Sequence, residues 1–484
     1  MPGEIVVKFQ PHVTTLGALG SLQREGLRSL DASSHQGLIR VGVESGQEAE
    51  MMAALAARGD VEFVALNHRV QALGDPNDPG YALQWGLTQI QDHDINAAEA
   101  WDFSTGGSDI TIAIIDSGVD LDHPDLQAKI VPGYDFVNLD SLADDDYGHG
   151  THVAGIAAAV SNNGLGITGV SWGAKIMPLK MLNASGTGTT FNLAKAIYFA
   201  VDNGAQVINM SLGASCGSGW PEVEDAVDYA VAKGVLLIAA AGNNQPYVFC
   251  PAAIADVVAV GATSATDVRA SFSNYGPELE VVAPGVDIYS TLVGGGYGTK
   301  NGTSMAAPFV AGLAALLRSS DPALTAGDVT TVIQNTSDDL GSPGWDPLYG
   351  HGRINAWRAL AATSLQTSPK QLTLDMDNQS GPVTGQIEVT TNSPEVIAWT
   401  ATISPTVSWL NLASPAAGNL STASASDGIT VVATPPQSFD THTTTIIIAG
   451  TTASNMPVGP KSIEIELNYT SKLYKFHLPV IYRN

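Results

Sequence analysis

The stretch Asn301-Gly302-Thr303-Ser304-Met305-Ala306-Ala307-Pro308 puts a hydroxyl just ahead of an apolar run, Met305 to Leu317. That run has the length of a buried helix and is too short to cross a bilayer. A serine at a helix start has its own N–H among the unpaired donors there, and the helix dipole favours negative charge beside it. A nucleophile that generates an oxyanion needs both features. A capping serine shows them too, so Ser304 acquires chemistry only through partners elsewhere.

Asp116 closes the apolar run Ile110 to Ile115 and opens Asp116-Ser117-Gly118-Val119-Asp120. An acid held rigidly at a strand end suits an orienting carboxylate, whereas Asp120 and Asp122 read as solvated turn residues. Gly148-His149-Gly150-Thr151-His152-Val153-Ala154-Gly155 opens a helix of small residues carrying two imidazoles, each either a base or a satisfied core histidine. Zinc fits poorly, since neither a His-Glu-x-x-His helix nor a cysteine cluster is present. Asn243 follows Leu237-Ile238-Ala239-Ala240-Ala241-Gly242, where its amide can donate to an oxyanion or simply shape a turn. In chain order these residues supply acid, base, oxyanion donor and nucleophile. Two Gly-x-Ser-x-Gly stretches, Gly169 to Gly173 and Gly213 to Gly217, compete for the nucleophile's role. That elbow wants acid and histidine after the serine, and His351, His442 and His477 lie in no comparable motif.

The elements that would carry these residues fall into three regions. Residues 1–74 read as a small α+β unit: strand-like Ile5 to Phe9, Leu16, Leu19 and Leu22 at helical spacing, strand-like Leu38 to Val43, helical Gln47 to Arg58, and a strand restarting at Val61. Gly74-Asp75-Pro76-Asn77-Asp78-Pro79-Gly80 has the composition of a linker. Residues 75–365 alternate short apolar runs with helical stretches, the pattern of a parallel sheet covered on both faces. Ile110 to Ile115, Lys175 to Lys180, Val207 to Met210 and Val235 to Ile238 are its expected central strands. Sites in such sheets form beyond the carboxyl ends of the strands, where Asp116 and Asn243 stand. Residues 366–484, rich in Thr, Ser, Val and Ile, read as antiparallel strands closing into a β-sandwich.

A formal net charge of -26 over 484 residues disfavours nucleic acid and anionic membrane as partners and suits bound cations. For most of the carboxylates, Asp144-Asp145-Asp146 among them, a solvated acidic surface is the plain reading. Cys216 and Cys250 are too few for a disulfide scaffold, and one bridge remains open to them. Met1-Pro2-Gly3 leads straight into a strand-like run, so an exported protein would have lost its signal peptide.

On Asp116-Ser117-Gly118, His149 to Gly155, Ala240-Ala241-Gly242-Asn243 and Gly302 to Pro308, residues 76–365 resemble the subtilisin-like serine peptidases, nearest the thermitase-like branch. The resemblance implies a three-layer α/β catalytic domain and a secreted endopeptidase of broad specificity. Ser304 would attack, His149 move the proton, Asp116 orient the imidazole, and Asn243 with the Ser304 N–H bind the oxyanion. His152 would be structural. Ser185, Gly186, Thr187 and Gly188, with Ser211, Leu212 and Gly213, would pair with substrate as edge backbones. Ala240, Gly242, Phe249 and Cys250 would complete the P1 pocket, with the two cysteines beside it either bridged or free.

The branch also implies Ca2+, held first by Asp78, Asp125, the Asn163 side chain and the carbonyls of Val160, Leu165 and Ile167, and second by Asp135, Asp140 and Asp144. The N-terminal unit resembles an inhibitory propeptide of ferredoxin-like arrangement, its tail Arg69 to Leu73 lying in the cleft, with autocleavage between Leu73 and Asn77. The C-terminal region loosely resembles Ig-like accessory modules of the BACON type. That implies a carbohydrate- or protein-binding part, or a spacer. A proteolytically silent relative that binds peptides in the same cleft is the alternative function.

Overall fold

The protein is described here from a computed structural model covering residues 4–10, 12–24, 27–32, 37–43, 48–56, 58–66, 75–378, 381–391, 393, 396–420, 426–452 and 457–470. The chain divides into two compact units, Met1–Gly74 and Asp75–Asn484. The expected linker is thus shorter than its composition suggests. Pro76, Asp78 and Gly80 are buried in the second unit, and Gly80 N–H donates to the Gly166 carbonyl at 2.6 Å.

The first unit runs β1 (Glu4–Phe9), α1 (Thr15–Arg24), β2 (Arg28–Ala32), β3 (Leu38–Gly42), α2 (Glu48–Ala56) and β4 (Val61–Leu66). Its strands form an antiparallel sheet in the order β2-β3-β1-β4. Strand alternation sends Ile5, Val7 and Phe9 with Ile39 and Val41 to one face, where Ala18 and Leu22 of α1 and Leu55 of α2 cover them. β2 escaped the sequence reading because Arg28-Ser29-Leu30-Asp31-Ala32 carries two charges and little apolar signal. Arg69 to Leu73 lies outside the described residues.

The second unit opens with the short helix α3 (Ala97–Ala100) and then β5 (Thr111–Asp116), β6 (Tyr134–Asp135), α4 (Gly150–Ala158), β7 (Lys175–Lys180), α5 (Thr190–Asp202), β8 (Val207–Met210), α6 (Pro221–Ala232), β9 (Leu236–Ala240), β10 (Val257–Thr263) and β11 (Leu279–Pro284). These strands make one parallel seven-stranded sheet in the order β11-β10-β9-β8-β5-β7-β6. The central strands are apolar in their middles because both faces are covered, with polar residues such as Asp116 and Lys180 at their ends. Ile112 and Ile114 join the core with α4 and the later helix α7, while Ala113 and Ile115 join the core with α5 and α6. A hairpin, β12 (Ile288–Leu292) with β13 (Gly296–Lys300), then leads into α7 (Thr303–Ser320), followed by α8 (Ala326–Thr336) and α9 (Ala356–Thr363). From Met305 to Arg318, α7 is buried without interruption. Its one charge, Arg318, donates to the carbonyls of Gly234 and Gln206 at 2.7 and 3.3 Å.

Beyond α9 the chain is β-rich. Leu365–Ser368, Val383–Thr391, Ser426–Ala433 and Leu410–Ser414 form one sheet. Gln371–Asp377, Pro457–Thr470, Thr441–Thr452, Ile397–Ser404 and Ala417–Leu420 form another. Both contribute to one core around Trp399, Ile429, Val431, Ile446 and Ile465. The antiparallel expectation fails at one ladder, since Gln371–Asp377 pairs parallel with Pro457–Thr470. Alternation reads which face a strand buries; it is blind to strand direction.

Candidate active site

Asp116, the last residue of β5, is wholly buried, and its carboxylate oxygens lie 2.8 and 2.9 Å from His149 Nδ1. The Ser117 N–H fixes that carboxylate at 2.7 Å. His149 occupies the residue just before α4, with its side chain 20% exposed to the cleft. Burial depresses the His149 pKa, but the charge and hydrogen bond of Asp116 outweigh it and hold the imidazole above its ordinary value. Gly150 permits this pairing: a Cβ there would lie 2.1 Å from the Gly118 carbonyl and 2.9 Å from Asp116 Cβ. His152 points away, its Nε2 3.1 Å from the Gly298 carbonyl, and burial pushes its pKa down to about 3.

Two features that composition hid hold the His149 loop. Asp145 is buried and accepts from the Ser117 hydroxyl, the Tyr147, Gly148 and Thr151 N–H groups, and the Thr151 hydroxyl, at 2.6 to 3.0 Å. It is no part of a solvated acidic run. Lys180, at the end of β7 and 1% exposed, donates to the carbonyls of Ser117 at 2.7 Å and Leu182 at 3.0 Å and pairs with Asp146 at 2.5 Å. One ammonium thus ties together the segments after Asp116, before His149 and along the cleft wall. Asp120 also departs from expectation: it is buried, and it accepts the Gly294 N–H at 2.7 Å.

Ser304 is the second residue of α7, and Pro308 sits four residues on inside the helix. Proline has no N–H, so the Ser304 carbonyl lacks its helical donor. The Ser211 hydroxyl supplies one at 2.8 Å, and the Ser304 hydroxyl donates in return to the Ser211 carbonyl at 3.1 Å. Asn243 Oδ1 accepts the Thr303 N–H and hydroxyl at 3.2 and 3.3 Å. This leaves its Nδ2 donors for the cleft, near Gly302.

One cleft is lined by His149, Ser304, Asn243, Gly186, Thr187, Gly188, Ser211, Leu212, Gly213, Ala240, Gly242 and Phe249. Ser185 is not on its wall; it is exposed, with its N–H on Asn183 Oδ1 at 2.9 Å. Tyr147, Thr190, Leu193 and Trp220 also line the cleft and were not read from sequence. Cys216 and Cys250 form a disulfide beside it, where Ala214 and Cys250 exchange backbone hydrogen bonds at 3.0 Å.

The expected cation residues divide. Asp78 and Asp125 are both buried, and the loop 160–167 wraps them. Asp78 accepts from the N–H groups of Asn162, Asn163 and Gly164 at 2.6 to 3.2 Å, and Asp125 from Ile167 N–H at 2.9 Å and Asn163 Nδ2 at 2.8 Å. Burial, together with the charge of Asp78, pushes the Asp125 pKa up, against the hydrogen bonds it accepts. The carbonyls of Val160, Leu165 and Ile167 accept no hydrogen bond among the described residues. Two buried carboxylates and free carbonyls form a donor set of hard oxygens, which fits Ca2+.

Asp135 and Asp140 face each other across a bridge, their backbones exchanging hydrogen bonds at 2.8 and 3.2 Å, but Asp144 does not gather with them into a group of three. Asp135 binds the Val137 and Asn138 N–H groups, Asp140 the Leu142 N–H and Asp144 the Leu121 N–H. Among the described residues no three His, Cys, Asp or Glu side chains gather as a metal group. Short loop-closing bonds use those carboxylates instead.

A parallel sheet that places a buried Asp–His pair, a helix-borne serine and an amide donor at its carboxyl edge has the architecture of subtilisin-like serine hydrolases. The Subtilase family profile matches residues 107–352. The chain is 40% identical over 365 residues to a thermophilic serine proteinase of Bacillus sp. strain AK1, covering 74% of this chain and 87% of that one. It is 43% identical over 287 residues to thermitase of Thermoactinomyces vulgaris, covering 59% and 99%. A solved protease structure from Pseudoalteromonas arctica PAMC 21717 matches at 33% identity with a TM-score of 0.54, covering 60% of this chain and 99% of that one. The chain belongs to the subtilase family. It is a serine endopeptidase and acts on protein or peptide substrates.

Proposed function

We propose that Asp116, His149 and Ser304 form the catalytic triad, with Asn243 Nδ2 and the Ser304 N–H as oxyanion donors. The observation that carries this reading is the Asp116–His149 pair at 2.8 Å opening onto the cleft that Ser304 lines. Asp116 holds the proton on Nδ1, so Nε2 is left to accept the Ser304 proton as the hydroxyl leaves the Ser211 carbonyl for the scissile carbonyl. The imidazolium then delivers that proton to the leaving amine, and water hydrolyses the acyl-enzyme by the same path. Asn243, its amide oriented by Thr303, supplies a donor of a kind worth about 3 kcal/mol at the transition state. Substrate lies extended between Gly186–Gly188 and Ser211–Gly213, and main-chain pairing gives broad sequence tolerance.

The enzyme is read further as a secreted zymogen stabilised by Ca2+ at Asp78, Asp125, Asn163 and the carbonyls of Val160, Leu165 and Ile167. The first unit acts as its inhibitory, chaperone-like propeptide of ferredoxin-like topology. Its β2-β3-β1-β4 order supports this. The β-rich region serves as a stabilising spacer. Lys461 pairs with Asp321 at 2.8 Å and Gln366 Nε2 donates to the Ser320 carbonyl at 3.0 Å, both reaching the end of α7.

One experiment tests the core. The full chain is incubated with calcium, treated with a fluorophosphonate, and its N-terminus sequenced. The wild type is expected to gain a new N-terminus between Asp75 and Asp78 and to label at Ser304, while Ser304→Ala stays full length and unlabelled. Undiminished proteolysis by folded Ser304→Ala removes Ser304 from the mechanism, and a folded wild type without turnover leaves the peptide-binding alternative standing.

A further inference from the structure

Asn209 breaks the pattern of its strand. β8 is buried along its whole length, and alternation turns Asn209 to the face of Val207, toward the core that α4 and α7 complete. Its register partners in β5 and β9 are Ile114 and Ile238, both members of that core. Asn209 has no exposed surface, and its Oδ1 has no hydrogen-bond partner among the described residues. A leucine has nearly the same shape without the unpaired acceptor, so packing gives no reason for an amide here.

The reason lies one hydrogen bond further on. Asn209 Nδ2 donates to Ser211 Oγ at 3.0 Å, and that buried hydroxyl donates to the Ser304 carbonyl at 2.8 Å. An amide NH2 can only donate, so it occupies a lone pair of Ser211 Oγ and leaves the hydroxyl's single proton for Ser304. With the amide turned over, that proton would go to Oδ1, and the Ser304 carbonyl, which Pro308 cannot serve, would stay bare. On the other side of the nucleophile, Asn243 Oδ1 accepts the Thr303 N–H. Two peptide planes are therefore pinned, Gly302–Thr303 by Asn243 and Ser304–Met305 by Ser211. Between them lies the Thr303–Ser304 plane, whose N–H is the proposed oxyanion donor.

Resting on the catalytic reading above, we infer that Asn209 is a positioning residue for the nucleophile. Through Ser211 it fixes the Ser304 carbonyl, and with it the hydroxyl and N–H of the same residue. Wholly buried, it does not touch substrate. Its effect falls on the transition state, because the N–H must meet the oxygen of the tetrahedral intermediate and not that of the ground-state carbonyl. A displacement of about 1 Å in such groups costs up to about 100-fold in rate.

The test uses the full chain with calcium, succinyl-Ala-Ala-Pro-Phe p-nitroanilide as substrate and a fluorophosphonate as label. Asn209→Leu is expected to lower kcat about 10- to 100-fold with KM within about 2-fold, and to slow labelling of Ser304 by the same factor. Its melting temperature should match or exceed that of the wild type. Ser211→Ala should lose kcat to a similar degree, and the double variant should be no slower than the slower single one, since both changes cut the same relay. Asn209→Ala, with the same kinetic expectation, takes the place of Asn209→Leu should the leucine not fold. A folded Asn209 variant with kcat within about 2-fold of the wild type overturns the inference, whatever its melting temperature, as do losses that multiply in the double variant. A folded wild type that neither labels at Ser304 nor turns over would instead bring down the catalytic reading, and this inference with it.

Discussion

His149 sits between charges of opposite sign. Burial works against the imidazolium, Asp116 more than compensates, and Lys300, whose Nζ donates to the Gly148 carbonyl at 2.6 Å, pulls the pKa back down. A base must be neutral to take the Ser304 proton, so activity rises with pH through the His149 pKa. Removing the opposing cation raises that pKa further. Lys300→Met is therefore expected to shift the acid limb of the kcat/KM profile to higher pH, costing about 2- to 5-fold in rate on that limb and little on the plateau. A limb that stays in place would show that solvent screens Lys300 from the imidazole. His149, Ser304 and Asn243 line the cleft and Asp116 lies buried behind His149, and each was legible because it is a polar group following an apolar strand or opening a helix. Tyr147 gave no such signal, since an aromatic beside a glycine is read by what it packs on and not by what precedes it.

At the scale of elements, the sheet and α7 were legible because burial on both faces leaves continuous apolar runs. The loops that aim the site were not. Asp144, Asp145 and Asp146 are identical in type and adjacent, yet one is buried under five hydrogen bonds, one pairs with Lys180 and one is exposed. Only their partners distinguish them: Ser117 just after β5 and Thr151 of α4 for Asp145, and Lys180 at the end of β7 for Asp146. Lys180 left a faint trace, a lysine ending a strand expected to be buried. Asp145→Asn turns an amide NH2 toward backbone donors and is expected to lower stability by about 2 to 4 kcal/mol and kcat/KM about 10-fold, read by thermal melting and steady-state kinetics. Asp144→Asn should leave both nearly unchanged. Similar effects of the two variants would return Asp145 to the solvated surface.

For the whole molecule, the charge of -26 makes cation binding a matter of stability. Chelation is expected to lower the melting temperature of the wild type markedly, since a site saturated about 1,000-fold above its Kd contributes about 4 kcal/mol. Asp125→Asn should melt lower and respond much less to chelator. A wild-type melting temperature insensitive to chelator would exclude structural calcium. Part of the acidity is turned inward on the chain's own loops. Asp78 holds the N–H groups of Asn162, Asn163 and Gly164; Asp135 those of Val137 and Asn138; Asp145 those of Tyr147, Gly148 and Thr151; and Asp346 those of Ser342, Leu348 and Tyr349. A peptide bound as an added strand must present its amides free and its backbone straight. Loops whose amides are already claimed, and whose course is bent around a carboxylate, are poor guests for a neighbouring copy's cleft. The same aspartates that contribute to the charge are thereby expected to make these loops poor substrates for a neighbouring copy.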